Sequence, residues 1–208
     1  MKGLLLKDMY LALKHFKGYI VLVIMFALLS VAETENMFLI FYPCLLCGMM
    51  PVNLMAYDER SKWDVYTAVL PFTRAQIVAS KYIFGLIGQG IILALVAISN
   101  MISMASSGGI NWAYLSGVMG TLVMLSAIAT AVPLPFIFRM GVEKGRMGYY
   151  VMIGLAAGGS GVAAGIFGNE ISPDALPGMA FPVMVLIGVA IYAASWWLSV
   201  RFYENREL

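Results

Sequence analysis

The sequence predicts an all-α membrane protein built from six transmembrane helices, with both termini in the cytoplasm. Two observations predict it. The 208-residue chain is 62% hydrophobic and only 12% charged, against an apolar share of ~45–50% in soluble domains. All 13 Lys and Arg residues also fall on one side when six apolar runs are threaded through a bilayer, and the basic side is the cytoplasmic one.

Residues 1–17 form the first element. Leu6, Met9, Leu13 and Phe16 recur at helical spacing while Lys7, Lys14 and Lys17 gather opposite, the pattern of a helix lying in the interface with its lysines toward anionic headgroups. A plain basic leader that only orients the first span is the simpler alternative. Mixed charge and the lack of a small-residue cleavage pattern argue against a cleaved signal.

Residues 18–57 hold the first two spans. Tyr19 to Ala32 is short of the ~20 residues a crossing needs; it suffices if its helix starts near Leu11 and Lys14 and Lys17 snorkel. Met37 to Tyr57 follows, with Pro43 and Pro51 expected to interrupt it. A cytoplasmic loop occupies residues 58–80, and residues 81–208 carry spans three to six and the tail. These spans are Ile83 to Ser103, Trp112 to Phe138, Gly148 to Phe167 and Met179 to Trp197. Pro133, Pro135 and Pro182 are expected to break the fourth and sixth. The inner loops collect Arg60, Lys62, Arg74 and Lys81, then Arg139, Lys144 and Arg146, then Arg201 and Arg206; the outer turns carry only Glu33 and Glu35, an uncharged turn, and Glu170 with Asp174.

This threading uses almost the whole chain, so no fused nucleotide-binding or nucleic-acid-binding module is expected. No Gly-x-x-x-x-Gly-Lys-Ser/Thr occurs. Gly154, Gly158, Gly161 and Gly165 lie at intervals that suit close helix packing in the fifth span, or a flexible gating element, rather than a phosphate cradle. Cys44 and Cys47 sit one turn apart in the second span, but a metal or redox site would want further ligands, and the single histidine, His15, belongs to the inner surface. No metal site is predicted. The 16 methionines suit adaptable packing or the lining of a path for apolar cargo. No span pairs Ser with His or Asp with Asp, as an intramembrane protease would need.

The loop from Tyr57 to Gln76 is the informative segment. Ser61 followed by Asp64 reads as an N-cap with an acid three residues on, and Pro71 ends the short helix so begun. Trp63, Tyr66 and Leu70 would share one face of it. Thr73 with Gln76 forms a second capping box, opening a helix that runs through Lys81 into the third span. An ordered aromatic helix below a bundle is a docking surface for a cytosolic partner; the same aromatics can also serve simply as interface anchors.

The runs Tyr57-Asp58-Glu59-Arg60-Ser61-Lys62-Trp63-Asp64 and Leu70-Pro71-Phe72-Thr73-Arg74-Ala75-Gln76 through Lys81-Tyr82 closely resemble the corresponding loop of small six-span ABC-2-type transporter permeases. That group includes the membrane subunits of the phenol-soluble modulin exporter. The resemblance implies a coupling helix, Ser61 to Leu70, that inserts into a cleft of a separate ABC ATPase subunit. It would present Ser61, Lys62, Trp63, Asp64, Tyr66 and Leu70, flanked by Asp58, Glu59 and Arg60 on one side and Arg74 on the other. It implies a bacterial plasma-membrane subunit without catalysis or cofactor of its own, ATP and Mg being bound by the partner. It also implies a lid or re-entrant element between Asn169 and Gly178. Six spans are too few to enclose a path alone, so a second copy or a paralogous permease is expected alongside. The expected cargo is apolar or amphipathic, a peptide toxin or antimicrobial peptide among the possibilities. A self-contained channel and a thiol or metal redox protein are the rival readings.

Overall fold

A computed structural model describes residues 2–32, 37–67, 71–106, 111–145 and 180–205, with isolated positions 147, 150 and 154. The elements are α1 (Lys2–His15), α2 (Lys17–Ala32), α3 (Met37–Arg60), α4 (Trp63–Thr67), α5 (Arg74–Ser106), α6 (Trp112–Ala131), α7 (Pro133–Met140) and α8 (Ala180–Glu204). Among the described residues there is no strand.

Four stretches are long and apolar enough to cross a membrane: Leu39–Arg60, Arg74–Ala105, Tyr114–Met140 and Phe181–Glu204. A fifth arises if Lys2–His15 and Lys17–Phe26 are counted together, but they meet at a bend of 80°. Apart from positions 150 and 154, the expected fifth span, residues 148–167, lies outside the described residues, as do the turn at 169–178 and the acids Glu33, Glu35, Glu170 and Asp174.

The bend corrects one expectation. The first span does not extend back to Leu11 as a straight helix; the chain turns sharply at Phe16. Packing supplies the reason: Ala12 joins Leu54 and Phe84 in a buried cluster flanked by Leu5, Leu11 and Phe16, which holds α1 against α3 and α5. At 1.5 Å per residue, the 16 residues of α2 reach about 24 Å, short of the ~30 Å hydrocarbon core. Of the expected apolar face, Leu6, Met9 and Leu13 are exposed, whereas Phe16 packs against the Ala12 cluster. Lys14 and Lys17 are exposed too, whereas Lys7 turns inward.

The prolines behave unequally. Pro43 and Pro51 are buried within an α3 that continues through both, so neither interrupts the second span; in a bundle, neighbours can satisfy the carbonyls a proline frees. Pro182 falls in the first turn of α8, where a missing N–H costs little. Pro133 does divide the fourth span. Val132 marks the end of α6, and Pro133 opens α7.

The core of the bundle gathers Val23, Ile40, Cys44, Cys47, Ile92, Val96, Val118 and Leu122 from α2, α3, α5 and α6. Both cysteines are free and buried there as packing residues. Gly48 lets α3 and α6 approach closely, since a Cβ at that position would lie 2.7 Å from that of Ala129. This is the small-residue contact that allows tight helix packing in lipid. Of the glycines expected to do so in the fifth span, Gly158, Gly161 and Gly165 lie outside the described residues. A Cβ on Gly154 would have no described neighbour within 4 Å.

Hydrogen bonds between neutral groups join α5 to α6 and α8. The Tyr82 hydroxyl lies 2.6 Å from Ser195 Oγ and 2.7 Å from Ser199 Oγ, and Tyr192 donates to the Tyr82 carbonyl at 2.7 Å. Gln89 donates to Thr130 Oγ1 and the Ser126 carbonyl. An apolar cavity of about 500 Å³ opens beside them, with Leu86, Gln89, Val123, Gly188, Tyr192 and Trp196 in its wall.

Candidate functional site

The loop between α3 and α5 begins where α3 ends. Ser61 N–H donates to the Tyr57 carbonyl at 3.0 Å and Lys62 N–H to that of Glu59 at 3.1 Å, and Lys62 takes a left-handed backbone with φ of 53°. That conformation is unfavourable for a residue with a Cβ, but it reverses the chain direction at once. Consequently α4 starts at Trp63, one residue after the turn.

Ser61 is therefore not the N-cap of α4. Its hydroxyl points back and donates to the Asp58 carbonyl at 3.1 Å, satisfying one of the orphan acceptors at the end of α3. The second capping box is present in full. Gln76 N–H donates to Thr73 Oγ1, and Thr73 N–H donates to Gln76 Oε1, each at 3.3 Å. From there α5 runs for 33 residues through Lys81.

Within α4, the Trp63 and Tyr66 rings lie 6.5 Å apart and 33° from parallel. Tyr66 is 63% exposed, whereas Trp63 is half-buried. Leu70 and the side chain of Asp64 lie outside what is described. Glu59, Arg60, Ser61 and Lys62 are exposed beside Tyr66, giving a mixed-charge patch around one phenol.

Two predicted flanking residues turn inward instead. Arg74 donates from Nη1 to the carbonyls of Tyr203 at 2.9 Å and Glu204 at 2.8 Å, tying the loop to the last turn of α8, where a cation is favoured. Asp58 is buried, and both its oxygens accept from lysines. Glu59, although exposed, accepts from Val142 N–H at 2.8 Å through Oε2, holding the turn after α7 against α3.

Asp58 belongs to a ring of four charges that local sequence patterns do not reveal. Lys81 Nζ lies 2.6 Å from Asp58 Oδ2 and 2.8 Å from Asp8 Oδ1; Lys7 Nζ lies 2.8 Å from Asp58 Oδ1 and 3.4 Å from Asp8 Oδ1. Asp8 has 0% exposure. Two lysines and two carboxylates leave the ring formally neutral, the condition under which buried charges are tolerated. Asp8 Oδ2 alone has no hydrogen-bond partner. Lys7 reaches one element further, standing 4.1 Å over the Trp63 ring, close enough for a cation–π attraction. The signal available in sequence was Asp8 itself, the acid on a basic helix, sharing the stripe Leu4, Asp8, Ala12 that proves to be buried.

Among the described residues no group of three or more His, Cys, Asp or Glu side chains could hold a metal. The arrangement is a mechanical one: a five-residue helix that presents Tyr66 and is joined through Trp63 and Lys7 to the charged ring between α1, α3 and α5.

Comparison with curated proteins and with solved structures yields no match. A family model described as "ABC-2 family transporter protein" matches residues 3–204, which takes in nearly all of α1, the loop around α4 and every described stretch of membrane length. The chain accordingly belongs to the ABC-2 transporter family, as a multi-pass membrane permease of an ABC transporter.

Proposed function

We propose that this permease serves an ATP-driven exporter of the bacterial plasma membrane, and that residues 61–70 form the coupling helix gripped by a separate ATPase subunit. The observation carrying this reading is the exposed Tyr66 on a short α4 that follows directly on the Lys62 turn at the end of α3 and precedes the capped start of α5. A partner that pushes on so short a helix pushes directly on α3 and α5. The docking face comprises Glu59, Arg60, Ser61, Lys62 and Tyr66 with the outer edge of Trp63; Asp64 and Leu70 belong to the same segment. Asp58 and Arg74 act from behind, by holding the loop.

In this reading ATP and Mg are bound by the partner, and the chain contributes no catalysis. Six spans, with both termini cytoplasmic and α1 in the interface, make half of a working permease, completed by a second copy or a paralogue. The likeness to the phenol-soluble modulin exporter and the apolar wall of the cavity beside Gln89 support an apolar or amphipathic cargo, an amphipathic peptide among the candidates.

The test is replacement of Tyr66 with Ala in the assembled complex. Interfacial tyrosines are frequent anchors, each contributing ~2 kcal/mol or more where they act as hot spots. Tyr66→Ala is expected to weaken ATPase co-purification at least about tenfold while leaving the amount of permease in the membrane unchanged. Undiminished co-purification and coupled ATP hydrolysis would remove the coupling role from this helix. A channel or thiol redox protein would instead be indifferent to the ATPase, and the redox version would fail on replacing Cys44 and Cys47.

A further inference from the structure

We infer that Lys7 and Asp8 are positioning residues for the coupling helix, so that the N-terminal interfacial helix is part of the coupling device; the inference rests on the function proposed for α4. A helix of five residues is too short to hold its own shape, and something outside it must set its orientation. Lys7 is placed to do so. One ammonium group is shared between Asp58 in the last turn of α3, at 2.8 Å, and the ring of Trp63, the first residue of α4, at 4.1 Å.

Asp8, next in sequence, fixes Lys7 in turn. Its Oδ1 accepts from Lys81 at 2.8 Å and lies 3.4 Å from Lys7 Nζ, so α1 is bolted to α5 by the same carboxylate. The opposite face of α1 exposes Leu6, Met9 and Leu13, an apolar surface suited to the lipid interface. Displacement of α4 therefore travels through Trp63 and Lys7 into a helix seated in the bilayer surface, and onward through the 80° bend into α2. Lys81 stays 2.6 Å from Asp58 Oδ2, so Asp58 keeps a counterion when Lys7 shifts with Trp63.

The experiment uses the full chain assembled with its ATPase and permease partner in liposomes. Lys7→Met keeps the stem and removes the charge; it is expected to leave ATPase co-purification intact while lowering coupled ATP hydrolysis and transport about tenfold, in line with loss of a desolvated cation–π and ion pair. Lys7→Arg, which preserves a cation that stacks on an indole, is expected to restore most of the coupling. A merely structural role would reduce the quantity of assembled complex rather than its coupling. Hydrogen exchange on the unaltered complex needs no substitution: binding of a non-hydrolysable ATP analogue should change exchange at amides 4–12 together with those of α4. Coupling by Lys7→Met at the unaltered level, or exchange at α4 that changes while amides 4–12 do not respond, would overturn the inference. Loss of the proposed function itself reads differently, as an ATPase that fails to protect α4 in the unaltered chain.

Discussion

Lys81 and Tyr82 are neighbours on α5, yet they face two regions held together by different physics. On one side Lys81 enters the charged ring that joins α1, α3 and α5. On the other, Tyr82 enters the neutral hydroxyl cluster that joins α5 to α8, with Gln89 extending the polar contacts to α6. Neutral bonds between membrane helices average ~0.6 kcal/mol each, so that side can lose one without general failure. The charged ring cannot lose its buried cation Lys81, because that leaves two buried carboxylates short of a counterion in a low dielectric, whereas Lys7 is partly open to solvent. The side nearer α4 is thus the all-or-none one, and the side nearer α8 is the gradual one.

The largest expected effect comes from breaking the charged side at its centre. Lys81→Met leaves two carboxylates facing Lys7 alone, a loss of about 3–5 kcal/mol for a buried pair deprived of one partner. The thermal midpoint of the purified permease in detergent should fall steeply, with little protein recovered. Combining Lys81→Met with Asp8→Asn restores formal neutrality and is expected to regain at least about half of the lost stability. If the double variant melts no higher than the single one, the cost was packing rather than charge, and the contrast between the two sides disappears.

That ring also marks the limit of what the sequence could tell. Four apolar stretches of membrane length were legible because apolar composition is a property of whole segments. The start of α5 was legible because Thr73 and Gln76 lie within a single turn, where a cap is a local matter. Lys7 and Asp58 are 51 residues apart and Asp8 and Lys81 are 73 apart, so no periodicity could pair them, and the resemblance that set Asp58 beside the docking segment said nothing of its burial. Ser61 misled for a related reason. Its spacing to Asp64 suited a cap, but the left-handed turn at Lys62 is stabilised by the surrounding fold against the local preference of lysine, and it moved the helix start past Ser61. Pro43 and Pro51 read as breaks under rules drawn from water, which a bundle in lipid relaxes.

The two predicted caps offer a comparison of intermediate size. Thr73→Ala removes the side-chain acceptor of Gln76 N–H, leaving it the Thr73 carbonyl at 2.9 Å, at the head of the helix that serves both polar regions, and N-cap losses of this kind cost about 1 kcal/mol. Ser61→Ala removes only a donor to the Asp58 carbonyl in an exposed turn, and exposed substitutions of this kind stay within about 0.5 kcal/mol. Thermal melts of both variants should therefore separate, with Thr73→Ala lower. Equal midpoints would mean that the reciprocal cap contributes nothing beyond the α5 helix it opens.

The smallest effect belongs to the neutral side. Tyr82→Phe deletes the hydroxyl shared by Ser195 and Ser199, but Ser195 keeps an acceptor in the Ala131 carbonyl, and the Tyr192 bond goes to the Tyr82 backbone, which the substitution spares. The ring remains, so its edge-on packing with Tyr192 at 5.2 Å is preserved. The expected loss is about 0.6 kcal/mol, a shift of roughly 1–2 °C for a chain of this size, with ATPase co-purification unchanged. A drop comparable to that of Lys81→Met would show that hydroxyls here are as indispensable as charges, and that α5 is clamped equally on both faces rather than fixed on one and yielding on the other.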